Sequence, residues 1–283
     1  MEQIVFQGRI DGLEIEQVIR DYEYSMASRH FHDTYELYYL IEGQRYYFID
    51  RQTYLVKAGE VALIKPNQIH KTSMAGQSFH NRILLQIDGV RMGTFLEACG
   101  IGSMETIYTE EAAVLSVPEE EQRQVESLLL QMQKELQEKQ RQYAVGVKLK
   151  LAELLLTLVR CQRRLPFPKD SQTAQTWKHQ KVHEVAEYLL NHPETEESLE
   201  EVAKRFYVSK SYLSRIFREV TGFAVNEYKN INRIKKSQQL LQHSTYSVTE
   251  ISDILGFKNL TYYERVFKKY IGITPLKYRN SQV

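Results

Sequence analysis

Between Phe6 and Asp88 the apolar residues come in short bursts. Tyr, Val, Ile and Leu crowd into Glu36–Ile41, Arg45–Asp50, Tyr54–Val56, Val61–Ile64 and Arg82–Ile87, with Glu42-Gly43, Ala58-Gly59 and Pro66-Asn67 as breakers between them. Bursts at this spacing predict the strands and turns of a small β-barrel or sandwich. The period then lengthens. Met92–Cys99 and Glu119–Arg164 follow a helical repeat, in which Val125, Leu128, Leu129, Met132 and Leu136 form one stripe and Val147, Leu151, Leu154, Leu155 and Leu158 a second. Antiparallel helices of this kind bury their stripes either against the barrel or against a second copy of themselves. Residues 165–176 (LPFPKDSQTAQT) carry two prolines and then polar residues, the composition of a linker. From Trp177 onward the pattern is helical throughout. The predicted division is therefore residues 1–164, a linker at 165–176, and residues 177–283.

Composition narrows the classes. A chain of 283 residues, 42% hydrophobic and 26% charged, is expected to hold two folded domains and is too apolar for disorder. No apolar run approaches the ~18–20 residues of a membrane span, and Met1–Glu16 lack a basic-then-apolar leader, so a cytoplasmic protein without membrane contact is expected. Cys99 and Cys161 are the only cysteines, which excludes a disulfide framework or a Cys-rich zinc site. The formal net charge of +1 hides a division: residues 202–283 hold 15 Lys+Arg against 5 Asp+Glu, a balance of +10, leaving −9 for the remainder. A basic end joined to an acidic front half is the asymmetry of a nucleic-acid binder with a separate second function.

The basic end contains a repeat. Ser198–Gly222 overlies Ser247–Gly272: Ser198, Val202 and Phe206 match Ser247, Ile251 and Leu255 at an offset of 49, and Tyr212, Arg215, Phe217 and Gly222 match Tyr262, Arg265, Phe267 and Gly272 at an offset of 50. Each copy opens with a capping-box pattern, Ser198-x-x-Glu201 or Ser247-x-x-Glu250, and restarts at a good N-cap, Ser209 or Asn259. Two helix-turn-helix units follow, an arrangement suited to double-stranded DNA. The first recognition helix would present Lys210, Ser211, Ser214, Arg215 and Arg218 over a core of Leu213, Ile216 and Phe217. The second, beginning at Asn259, would present Lys258, Leu260, Thr261, Glu264, Arg265, Lys268 and Lys269 over Tyr263, Val266 and Phe267. Arginine suits bidentate contact with guanine and lysine suits phosphate. A long helix around Asn226–Leu241 would hold the units about one DNA turn, ~34 Å, apart.

Gly256-Phe257, Tyr263-Glu264-Arg265-Val266-Phe267-Lys268-Lys269, Gly272-Ile273-Thr274-Pro275 and Tyr278-Arg279 together resemble the DNA-binding domain of the AraC/XylS family of bacterial transcription regulators, over about Trp177–Asn280. The resemblance implies base contacts at Ser211, Ser214, Arg215, Thr261 and Arg265. Ser237 and Ser252 stand where alanine is usual, and Glu264 replaces a small polar residue.

In the acidic half, His30-x-His32-x3-Glu36-x6-Gly43 and Gly59-x6-Pro66-x3-His70 resemble the cupin barrel that commonly precedes this DNA-binding domain. In metal-binding cupins the matching positions supply metal ligands, although here Gln68 stands where glycine is usual. Three readings of these residues stand: an effector pocket without metal, polar remnants in the barrel mouth, and a metal site. The first is adopted, with His30, His32, Glu36, Tyr38 and His70 lining the cavity and no metal or cofactor required. Eight of the 19 tyrosines fall within Tyr22–Tyr54, which suits a sugar-like or amphipathic effector. The expected protein is a multidomain regulator: a cupin-like effector barrel with a helical dimerisation segment, then an all-α domain with two helix-turn-helix units. Its expected partners are operator DNA, a small-molecule effector, a second copy of itself and, as an activator, RNA polymerase. The alternative is a metal-dependent cupin enzyme fused to a DNA-binding module.

Overall fold

The computed structural model describes residues 1–26, 32–108, 113–164 and 176–281. The chain divides into two compact units, Met1–Ala174 and Gln175–Val283. The linker expected at residues 165–176 lies outside the described residues except for Thr176.

The first unit is built on eight antiparallel strands: β1 (Glu2–Ile10), β2 (Leu13–Asp21), β3 (Tyr35–Ile49), β4 (Gln52–Lys57), β5 (Glu60–Ile64), β6 (His70–Met74), β7 (Phe79–Ile87) and β8 (Val114–Ser116). One sheet runs β1-β2-β7-β3-β5-β8, while β4 and β6 flank the far half of β3. Glu42-Gly43, expected to end a strand, instead lies within β3. The β3–β7 register slips between Leu40 and Glu42, and Gly43 takes φ 94°. A Cβ at Gly43 would lie 2.4 Å from the Phe79 carbonyl oxygen, so the close approach requires glycine. Breaker residues here produce a bend because each half of the strand still has partners on both sides. β3 thereby belongs to both sheets and folds them over a shared interior containing Tyr38, Leu40, Tyr47, Ile49, Val56, Ala62 and Ile64. Strands β1, β2, β6 and β8 were not anticipated individually: β1, β2 and β6 are rich in polar residues and β8 is very short.

Four helices complete the unit, two before β8 and two after it: α1 (Gly89–Ala98), α2 (Met104–Ile107), α3 (Glu119–Glu138) and α4 (Tyr143–Arg164). Both predicted stripes are buried, in one cluster with Phe6, Leu13, Ile15, Leu37, Leu63 and Leu85 from the outer face of the first sheet. Of the two uses open to the stripes, the structure shows packing against the protein's own sheet. Polar contacts align the layers: the Tyr39 hydroxyl donates to Glu126 at 2.9 Å, and Gln133 donates to Gln17 at 3.1 Å.

The second unit comprises α5 (Trp177–Asn191), α6 (Leu199–Arg205), α7 (Lys210–Thr221), α8 (Val225–His243), α9 (Val248–Ile254), α10 (Leu260–Ile271) and α11 (Pro275–Asn280). Both capping boxes form, with Ser198 and Ser247 accepting from the backbone N–H of Glu201 and Glu250 while the carboxylates accept from the serine N–H groups. Tyr228, Ile231, Ile234 and Leu241 of α8 are buried, as its periodicity predicts. Ser237 and Ser252 pack with no exposure, and Ser237 bonds the Tyr263 hydroxyl. Two α8 cations are buried as well. Lys229 donates to the Glu197 carbonyl at 3.0 Å, and Arg233 to the Pro193 and Thr195 carbonyls at 2.6 and 3.0 Å. These two hold the α5–α6 loop, so not all of the +10 charge faces outward.

Candidate functional site

The helix-turn-helix units present their recognition helices as the repeat requires. Ser209 accepts from Tyr212 N–H at 3.2 Å and Asn259 from Tyr262 N–H at 2.8 Å, fixing the starts of α7 and α10. Gly222 and Gly272 end them in the left-handed conformation. Leu213, Ile216 and Phe217 are buried in the first, and Tyr263, Val266 and Phe267 in the second. Lys210, Ser211, Ser214, Arg215, Arg218, Asn259, Thr261, Arg265, Lys268 and Lys269 are all exposed. Leu260, expected on the outer face, is half-buried against the core because the first turn of α10 leans on it.

The two units also share features that sequence overlay alone did not reveal. Arg215 lies over the Tyr212 ring at 5.2 Å and Arg265 over the Tyr262 ring at 5.3 Å, so each recognition arginine rests on the aromatic residue one turn before it. The turns agree too: Tyr207 takes φ 55° where Gly256 takes φ 67°. The extra residue of the second unit thus follows Phe257, just before the Asn259 cap.

In the first unit, the described residues of the expected effector set lie around Glu36. This carboxylate is 1% exposed. Its Oε1 accepts from the Tyr47 hydroxyl at 2.6 Å, and its Oε2 faces His32 Nε2 at 3.2 Å and His70 Nε2 at 3.6 Å. Each imidazole is oriented from behind, His32 Nδ1 by the Thr34 carbonyl at 3.0 Å and His70 Nδ1 by the Gln68 carbonyl at 2.9 Å. Burial opposes the charged state of Glu36, but the charge of His70 and the hydrogen bonds from His32, His70 and Tyr47 hold its pKa well below the usual range. The ligand atoms of His32, Glu36 and His70 lie within 4.8 Å of one another, and two imidazoles with one carboxylate form a donor set suited to a divalent cation. His30 lies outside the described residues. Tyr38 packs edge-on against Tyr47, with ring centroids 5.2 Å apart, and lines the same cleft as Glu36.

Sequence reasoning missed the other wall of that cleft. Arg20, Tyr24, Thr72, His80 and Arg82 line it together with Tyr47. The available signal was alternation: His80, Arg82 and Leu84 share one face of β7, opposite Ile83, Leu85 and Ile87. Both faces of this sheet are covered, so alternation by itself does not tell which face is the interior.

Two family descriptions match the chain: "AraC-like ligand binding domain" over residues 15–155 and "Helix-turn-helix domain" over residues 202–281. The chain belongs to the AraC family of transcription regulators. Its relatives in the family include the Msm operon regulatory protein of Streptococcus mutans, 24% identical with 97% of this chain and 93% of that protein covered. The transcriptional activator RhaR of Salmonella dublin is 23% identical, with 92% and 89% covered. Among solved structures, the DNA-binding domain of AdpA in complex with a target DNA is 32% identical over 35% of this chain and 88% of that one, with a TM-score of 0.34. Family membership makes this chain a DNA-binding transcription regulator with an N-terminal ligand-binding domain. The relatives are regulators, so the enzyme alternative finds no support. No helix among the described residues is long and apolar enough to cross a membrane.

Proposed function

We propose that this protein is an effector-responsive activator that reads its operator with α7 and α10 together. The observation that carries the reading is the doubling of one device: a capped helix with an exposed arginine resting on a tyrosine, in both units of a net basic domain. Ser211, Ser214, Arg215, Thr261 and Arg265 make the base contacts, while Lys210, Arg218, Asn259, Lys268 and Lys269 hold the backbone. Operator DNA from upstream of neighbouring genes, titrated in an anisotropy assay, tests this. Arg215→Ala or Arg265→Ala is expected to cost about 1–3 kcal/mol on the operator and much less on unrelated DNA. Equal losses on both would make these arginines phosphate clamps.

The cleft around Glu36 and Tyr38 binds the effector in this reading, and a sugar-like metabolite is the first class to try, since relatives include regulators named for sugar operons, such as the Xylose operon regulatory protein of Escherichia coli. Binding alters DNA affinity only to the extent that the effector prefers one arrangement of the protein over another. The regulator acts in the cytoplasm as a homodimer and engages RNA polymerase. With both leucine stripes facing the sheet, the dimer contact through the helical segment uses the outer faces of α3 and α4, where Leu130 and Leu149 are exposed. The cleft works without metal in this reading. Metal analysis of the purified protein is expected to find none in stoichiometric amount; stoichiometric metal lost on His32→Ala would instead make the His32–Glu36–His70 group a cation site.

A further inference from the structure

Three arginines are buried in the interior that the two sheets enclose, and their charges are poorly matched. Arg45 is 1% exposed, Arg20 7% and Arg82 8%. They come from three strands, and the antiparallel register of β2 and β7 sets Arg20 beside His80 and Val18 beside Arg82. Arg20 pairs through Nη2 with Glu2 at 3.1 Å, and Arg82 through Nη2 with Glu16 at 2.5 Å; both carboxylates are partly exposed. Arg45 has no carboxylate partner among the described residues, and its Nη2 donates only to the Tyr24 backbone carbonyl, at 2.5 Å. Each guanidinium also keeps a buried nitrogen without a hydrogen-bond partner: Nε of Arg20, Nη1 of Arg45 and Nη1 of Arg82. Glu36 does not make up the difference, because Tyr47, His32 and His70 already surround its carboxylate. Burying a charge without a counter-charge is strongly unfavourable, and buried donors left unpaired add to the penalty.

The cleft beside these arginines is tight, about 20 Å³, room for one small polar group rather than for a whole ligand. Tyr24, Tyr38 and Tyr47 line it, and the Arg20 guanidinium sits 4.0 Å above the Tyr24 ring. His80 faces the same space, and burial, reinforced by the charges of Arg45, Arg20 and Arg82, brings its pKa down to about 4. At neutral pH it is therefore an uncharged hydrogen-bonding group.

We propose that the effector is a small organic acid, whose carboxylate or phosphate group is bound in this cleft by Arg20 and Arg82, with the unpaired charge of Arg45 buried beside them. The inference rests on reading the first unit as the sensor and narrows its ligand from sugar-like molecules to acidic ones, such as a sugar acid or a sugar phosphate. Planar guanidinium groups match either anion in bidentate geometry. Neutral His80 and the tyrosines border the same small space, and the anion supplies the counter-charge that the protein's own side chains withhold from Arg45.

The test uses the full-length protein in a thermal-shift assay at constant ionic strength, with sodium chloride as the reference salt. Glucuronate, glucose 6-phosphate and inorganic phosphate are compared with neutral glucose. The anionic compounds are expected to raise Tm and glucose to leave it unchanged; whether glucuronate or the phosphates act more strongly identifies the anion. Arg45→Met preserves length but removes the charge. It is expected to abolish the rise while leaving the ligand-free Tm equal or higher, because an unmatched buried charge has gone. Arg20→Met, judged folded by circular dichroism, answers the same question if the first variant does not fold. A glucose response equal to that of the acids, retained in Arg45→Met, would overturn the anion assignment and leave the sensor reading standing. No response to any anion, with a ligand-free Tm much lowered in Arg45→Met, would make the arginines purely structural and also overturn it. An anion that raises Tm without changing operator affinity would support the anion site and remove the sensor reading.

Discussion

Tyr207 and Gly256 occupy equivalent turns in the two helix-turn-helix units, and both adopt a left-handed backbone. For tyrosine this conformation is unfavourable by about 1–2 kcal/mol, partly offset by the greater entropy a glycine would have in the unfolded chain. Tyr207 is 95% exposed, so little packing is lost on truncation. Tyr207→Gly is accordingly expected to gain up to about 1 kcal/mol in urea unfolding. The reverse asymmetry holds at Gly256, where a Cβ would stand 2.3 Å from the Glu194 carbonyl oxygen. Gly256→Ala is expected to lose at least about 1–2 kcal/mol in the same measurement, and equal effects at the two sites would contradict this account of the turns. At this scale the sequence was informative wherever a residue acts on its immediate neighbours. Ser198, Ser209, Ser247 and Asn259 all cap the helices they were expected to cap.

At the level of elements, helices proved more legible than strands. A stripe recurring over about three turns of α3 identifies the helix and its buried face, and all five members are in the core. What faces that stripe is a tertiary matter. Because the stripes pack on the sheet, Leu129→Ala and Leu155→Ala are each expected to cost about 2–5 kcal/mol as core cavities. Their sedimentation behaviour should stay that of the parent; a dimer that dissociates on either substitution would return the stripes to an interface role. The caps provide a smaller, local test: Ser198→Ala and Ser247→Ala should each cost about 1 kcal/mol. Strand boundaries were harder to see. Glu42-Gly43 reads as a turn in a linear sequence, but lies within one bent strand because β5 pairs before it, β7 pairs up to and through it, and β4 and β6 pair after it.

Across the whole molecule, buried histidines make stability depend on pH. His80 in the first unit and His179 in the second are each lowered to about 4. Burial is the main cause for both, joined at His80 by the arginine charges and at His179 by Lys178, with Glu219 acting the other way. An unfolded histidine takes up a proton near pH 6.5, while these folded ones remain neutral until about 4. Protons therefore favour unfolding across that window, and stability should fall as pH drops from about 6.5 towards 4. Urea midpoints at pH 7.5, 6 and 5 would measure the slope, which His80→Asn and His179→Asn are each expected to flatten. A slope unchanged in both variants would show that other groups control it.

By itself the sequence determined that there are two domains of opposite charge, that the basic one holds two capped helix-turn-helix units, and which arginines those units expose. These features depend on periodicity, spacing and near neighbours, which a linear chain records directly. Only the tertiary structure decided that the leucine stripes pack on the sheet, that Lys229 and Arg233 hold a loop, and that Arg20 and Arg82 line one cleft with Arg45 buried nearby. Those outcomes depend on strand register and on which face of each strand turns inward. Residues far apart in sequence set both, so no local pattern announces a cluster drawn from β2, β3 and β7.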